Sequence, residues 1–103
     1  MLRVNESNGN NNQMIAIKEI RVRPQQMDDK EYQFKFGSII RFLEHGDQVK
    51  LIVMLRGQEI THKEIGERLL LRFFQDLEEH GKAEWPPVVQ ERQVFLVFAP
   101  KVK

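Results

Sequence analysis

The chain has 103 residues, enough for one domain with its own core and too few for two. Sixteen Lys and Arg against fifteen Asp and Glu leave a net charge of +1, so the average field will not draw the molecule onto a polyanion, and any nucleic-acid binding must come from local clustering of cations. There is no cysteine and no apolar run near the ~20 residues that a bilayer-crossing helix needs, which excludes a disulfide scaffold and a helical membrane protein and predicts a cytoplasmic or organelle-matrix location.

Residues 1–13 are polar and rich in asparagine, without the apolar centre of a secretory signal; they read as a flexible arm or a remnant of cloning, leaving 14–103 as the single domain. In "KEIRVR", Lys18, Ile20 and Val22 share one side and Glu19, Arg21 and Arg23 the other, a half-buried strand stopped by Pro24. Asp28 or Asp29 can then cap a helix of about five turns, in which Tyr32, Phe36, Ile39, Ile40 and Leu43 recur at helical spacing up to Gly46; Gly37 is an interior weak point. "QVKLIVMLR" alternates again, with Val49, Leu51, Val53 and Leu55 on one side and Lys50, Ile52, Met54 and Arg56 on the other.

Gly57 allows a sharp turn, and Thr61 with Glu64 has the spacing of a capping box, although the helix could also open at Glu59. Ile65, Leu69, Leu70, Phe73 and Leu77 form the expected buried stripe of this second helix, which ends near His80-Gly81. The remainder reads as two strands around a turn at Gln90 to Gln93, with Pro86-Pro87 confining the first to a sheet edge and Trp85 as an edge anchor. The expected fold is therefore a β-α-β-α-β-β two-layer α/β sandwich. Right-handed crossovers place both helices on one face of a four-stranded mixed sheet.

"KEIRVRP", "YQFKFGSIIRFLEHGDQVKLIVMLRGQEITHKEIG" and "DLEEHGKAEWPPVVQERQVFLVFAPK" resemble, in this order and spacing, the C-terminal domain of bacterial translation initiation factor three. The resemblance runs from about Ile17 to Lys101 and implies the same β-α-β-α-β-β fold and no catalysis. It also implies a cytoplasmic monomer that binds the small ribosomal subunit through ribosomal RNA, opposes subunit joining and supports selection of the start site and, indirectly, of the initiator tRNA. Carried over residue by residue, the RNA-binding cations are Lys18, Arg21, Arg23, Lys35, Arg41, Arg56, Arg72 and Arg92. The chain departs from the family pattern at Gly37, Met54 and Gln58, where relatives commonly carry arginine, and at Glu91, where they carry glycine.

Arginine suits such a surface, because its planar fork holds a phosphate through two hydrogen bonds and stacks on an unpaired base, and each neutralised phosphate releases counterions. Arg23, Arg56 and Arg92 stand where connections leave the sheet, so their side chains are expected to project from it. Against this stands plain helical ion pairing, Arg68 with Glu64 and Arg72 with Asp76, each one turn apart. His45, His62 and His80 are scattered, and with no cysteine they lack the spacing of a zinc site; no metal, cofactor or nucleophile-base pair is expected. A second reading gives the sheet face opposite the helices, with Ile52, Met54 and Phe95 or Val97, to a protein partner.

Overall fold

Alternation and helical periodicity resolve into seven elements in a computed structural model that describes residues 16–101. The proposed arm at 1–13 lies outside them. Strand β1 (Ile17–Val22) pairs in parallel with β2 (Gln48–Met54), Ile20 opposite Leu51 and Val22 opposite Val53. Strand β5 (Gln93–Pro100) lies antiparallel on the other side of β2, with Val53 opposite Val94 and Leu51 opposite Leu96. This register puts Ile20, Val22, Val49, Leu51, Val53, Leu55, Val94, Leu96 and Phe98 on one sheet face, and all of them are buried.

Helix α1 (Asp29–Glu44) opens on Asp28, whose carboxylate accepts the Glu31 N–H at 2.8 Å and so satisfies one of the donors that a helix start leaves free. Its Tyr32, Ile39 and Leu43 join Leu70, Phe73 and Leu77, from the second helix and its end, over that same sheet face; the rings of Tyr32 and Phe73 sit 4.5 Å apart. Both helices thus cover one face, as expected, because each βα crossover returns to the side on which the strand residues are apolar.

Helix α2 (Glu64–Asp76) differs from expectation at its start and on its buried face. Thr61 does not cap it: the hydroxyl donates to the Gln58 carbonyl at 2.9 Å and closes the preceding 3-10 turn, Gly57–Ile60. Gly66, not Ile65, faces the sheet, and the helix approaches so closely that a Cβ on Gly66 would stand 2.8 Å from Val94 Cγ2 and 3.1 Å from Leu55 Cδ2. Rotation of the helix to seat Gly66 leaves Ile65 37% exposed.

The sheet has one strand more than expected. Gly81, foreseen only as a helix stop, also begins β3 (Gly81–Lys82), which pairs with Ala99 and Pro100. Strand β4 (Val88–Val89) pairs with Val94 and Phe95 on the same edge of β5, across a turn in which the Gln90 N–H donates to the Gln93 carbonyl at 2.8 Å. Between β3 and β4, Trp85 packs on Phe74 with ring centroids 5.2 Å apart, consistent with an edge anchor. No helix among the described residues is long and apolar enough to cross a membrane.

Candidate nucleic-acid interface

Because β1 and β2 run in parallel and β5 runs against them, the last residues of the first two strands meet the first residue of the third at one end of the sheet. Arg23, Arg56 and Arg92 leave from that end. The Leu55 N–H donates to the Arg92 carbonyl at 2.9 Å, which ties the hairpin turn to the strand end that precedes Arg56. Lys63, at the start of α2, donates its ammonium to the Gln90 carbonyl at 2.8 Å and secures the same turn. After Arg56 the chain reverses through Gly57, whose φ of +57° a side chain would disfavour. Glu59 closes the reversal: its carboxylate accepts the Arg56 N–H at 3.0 Å, and its own N–H donates to the Arg56 carbonyl at 2.9 Å. The Arg56 backbone is therefore fixed, and its side chain is exposed.

Two hollows open on this rim. The first, about 250 Å³, is lined by Arg21, Arg23 and Lys35 together with Glu31 and Met54. The second, about 540 Å³, has Pro24, Arg56, Glu59, His62 and Ile65 in its wall. Arg21 is 2.9 Å from Glu19 and Lys35 is 3.6 Å from Glu31, but the groups are solvent-accessible, and pairs of this kind hold their charges weakly. Five of the eight sequence-predicted cations, Arg21, Arg23, Lys35, Arg56 and Arg92, thus gather at or beside one end of the sheet.

The other three lie apart. Arg41, in the last turn of α1, stands toward the opposite end, where the chain turns into Gln48 and the Gln48 N–H bonds the Ala16 carbonyl; its guanidinium is 3.3 Å from Ser38 Oγ. Lys18 lies on the Ile20 side of β1 but is exposed at the edge, its ammonium 5.8 Å from the centre of the Phe42 ring. Arg72 sits over the Tyr32 ring, its Cζ 3.7 Å from the ring centre, and reaches Asp29 of α1 at 3.9 Å. Among the described residues neither Arg72 with Asp76 nor Arg68 with Glu64 forms the ion pair that helical spacing allowed. Asp76 accepts the Tyr32 hydroxyl, and Glu64 lies 3.4 Å from His62 Nδ1. Burial, reinforced by the bond to Asp76, pushes the Tyr32 hydroxyl pKa well above its usual value.

The face opposite the helices carries less apolar surface than its sequence suggests. Ile52 is only 3% exposed, flanked by Arg21 and Phe95 on the neighbouring strands. The Lys50 ammonium sits 4.3 Å over the Phe95 ring. Exposed apolar area lies at Val97, one of the residues expected on this face, and at Val88 toward the β4 edge. Sequence reasoning named Glu59 only as a possible helix start, not as the carboxylate, 7% exposed, that lies beside this rim; the signal was its place three residues after Arg56, across the Gly57 reversal.

Residues 15–101 match the family described as translation initiation factor IF-3, C-terminal domain. The chain belongs to this family. Among similar proteins, translation initiation factor IF-3 of a Pseudomonas putida strain is 43% identical over 93 residues, which cover 90% of this chain and 50% of that protein. The IF-3 of Azobacteroides pseudotrichonymphae is 46% identical over 87 residues, 84% of this chain and 47% of that protein, and that of Bartonella tribocorum is 43% identical over 88 residues, 85% and 51%. The chain thus spans about half the length of the IF-3 proteins it matches. The IF-3 family is one of initiation factors and not of enzymes, and the mixed sheet with two helices on one face agrees with its C-terminal domain.

Proposed function

We propose that this IF-3 C-terminal domain binds the small ribosomal subunit through ribosomal RNA, opposes joining of the large subunit and supports selection of the start site and initiator tRNA, acting as a cytoplasmic monomer. The observation that carries the reading beyond kinship is the gathering of Arg21, Arg23, Lys35, Arg56 and Arg92 at one end of the sheet of a protein whose net charge is only +1. Fixed cations on a rigid rim suit structured RNA, since each phosphate neutralised adds counterion release without the cost of ordering a flexible arm. Arg72, Arg41 and Lys18 extend the contact along the helical side.

Co-sedimentation with isolated small subunits at stepped salt, followed by addition of large subunits, tests this. Binding is expected to fall steeply with salt and subunit joining to be slowed. Simultaneous charge reversal of Arg41, Arg56, Arg72 and Arg92 should abolish binding while leaving the fold intact. Undiminished affinity of that quadruple variant overturns the reading.

A further inference from the structure

The 540 Å³ hollow behind Arg56 contains a combination that phosphate binding alone does not need. Glu59 lines it as a carboxylate only 7% exposed, and its one hydrogen bond among the described residues is the Arg56 N–H, accepted by Oε1. A carboxylate has about four acceptor positions, so most of this one's capacity is unused. Beside it stand an exposed imidazole, His62, and an apolar wall made by Pro24 and Ile65, the latter turned outward although its spacing predicted burial. Arg56 completes the rim.

We infer that this hollow is a subsite for one unpaired guanine of an RNA strand, with Glu59 reading its edge. The inference rests on the RNA-binding function proposed above. Guanine is the base that offers two adjacent donors, N1–H and the N2 amino group, with no acceptor between them. A carboxylate meets that pair with both oxygens. In adenine and cytosine the amino donor on that edge has a ring-nitrogen acceptor beside it, and in uracil N3–H lies between two carbonyl oxygens; a carboxylate repels each of these acceptors. His62 and Ile65 supply a ring and an aliphatic surface for the face of the base, and Arg56 takes the adjoining phosphate. Single-stranded bases are the elements of RNA that proteins read in this manner.

The test uses the full chain and uridine octamers carrying one central guanine, inosine, adenine or cytosine, with binding followed by fluorescence anisotropy. The guanine oligomer is expected to bind roughly tenfold more tightly than the adenine and cytosine ones, with inosine, which lacks the N2 amino group, between them. Glu59→Gln keeps an oxygen for the Arg56 N–H and so preserves the turn, but places an amide donor before the base; it should abolish the preference while its melting temperature stays near that of the parent. Equal affinity of the parent chain for all four oligomers overturns the inference, and this arm needs no variant to fold. So does a guanine preference that survives Glu59→Gln. Salt-sensitive binding to small subunits without any base preference removes the subsite alone, whereas failure to bind the subunits removes the underlying function.

Discussion

Tyr32 joins the two helices through three different interactions. Its ring packs on Phe73, its hydroxyl donates to Asp76, and its outer face carries the Arg72 guanidinium. The hydroxyl pKa is raised first by burial and then by Asp76, above the ordinary value of 10.0. The sign follows from linkage: below the unfolded-state pKa both states hold the proton, and above it the unfolded chain loses the proton while the folded one keeps it. Stability should therefore be level through neutral pH and decline as pH rises above about 10, and that part of the decline should be missing in Tyr32→Phe. Urea titrations of both proteins between neutral pH and pH ~11 check this; an identical alkaline decline in the two would show that Tyr32 has no part in it. The same substitution should cost about 1 kcal/mol at neutral pH, the usual net worth of a hydrogen bond. Periodicity marked Tyr32 as a core residue, but its partners stand 40 and 44 positions away, beyond the reach of any local pattern.

At the level of elements, two glycines inside helices call for opposite outcomes. Gly66 lets α2 lie against β2 and β5, and an added Cβ would press on Val94, Leu55 and Val53 at 2.8, 3.1 and 3.3 Å. Gly66→Ala should destabilise the domain by about 1–3 kcal/mol through overpacking. On α1, a Cβ at Gly37 would meet only Arg41 Nη1, at an ordinary 3.7 Å. Gly37→Ala should stabilise by about 0.5–1 kcal/mol, the gain in helix propensity. Thermal melts of the two variants beside the parent separate these effects; a higher melting temperature for Gly66→Ala would contradict the close approach. Sequence reading noted Gly37 as a weak point and passed over Gly66, because the need for Gly66 comes from what lies across from it. The same contact explains Ile65: seating Gly66 on the sheet turns its neighbour toward the rim.

For the molecule as a whole, charge placement outweighs charge total. Two parallel strand ends and one antiparallel strand start bring Arg23, Arg56 and Arg92 to one end, although they are far apart in the chain. If each of Arg56 and Arg92 neutralises one phosphate, replacing either by Gln should reduce the slope of log K against log salt by about 1 and weaken small-subunit binding. Arg68→Gln, on the exposed side of α2 and outside the eight cations, should leave the slope unchanged. Co-sedimentation at four or more salt concentrations measures all three slopes; the rim loses its assigned role if the Arg68 variant changes the slope as much as the others.

The amino-acid order by itself determined the succession of the main strands and helices without the short β3, a cap at Asp28 or Asp29, the Gly57 reversal, the apolar side of each main strand and kinship with the IF-3 C-terminal domain. These features are local, or repeat with the period of one element, and so can be read along the chain. Only the tertiary structure decided that Ile52 is buried on the face away from the helices, that Thr61 closes a turn instead of capping α2, and that Arg72 rests on Tyr32. It alone separated Arg41 and Lys18 from the rim cations and placed a buried Glu59 beside them. The physical reason is that burial and electrostatic partnership depend on atoms supplied by other elements, whereas periodicity tells which side of its own helix or strand a residue occupies.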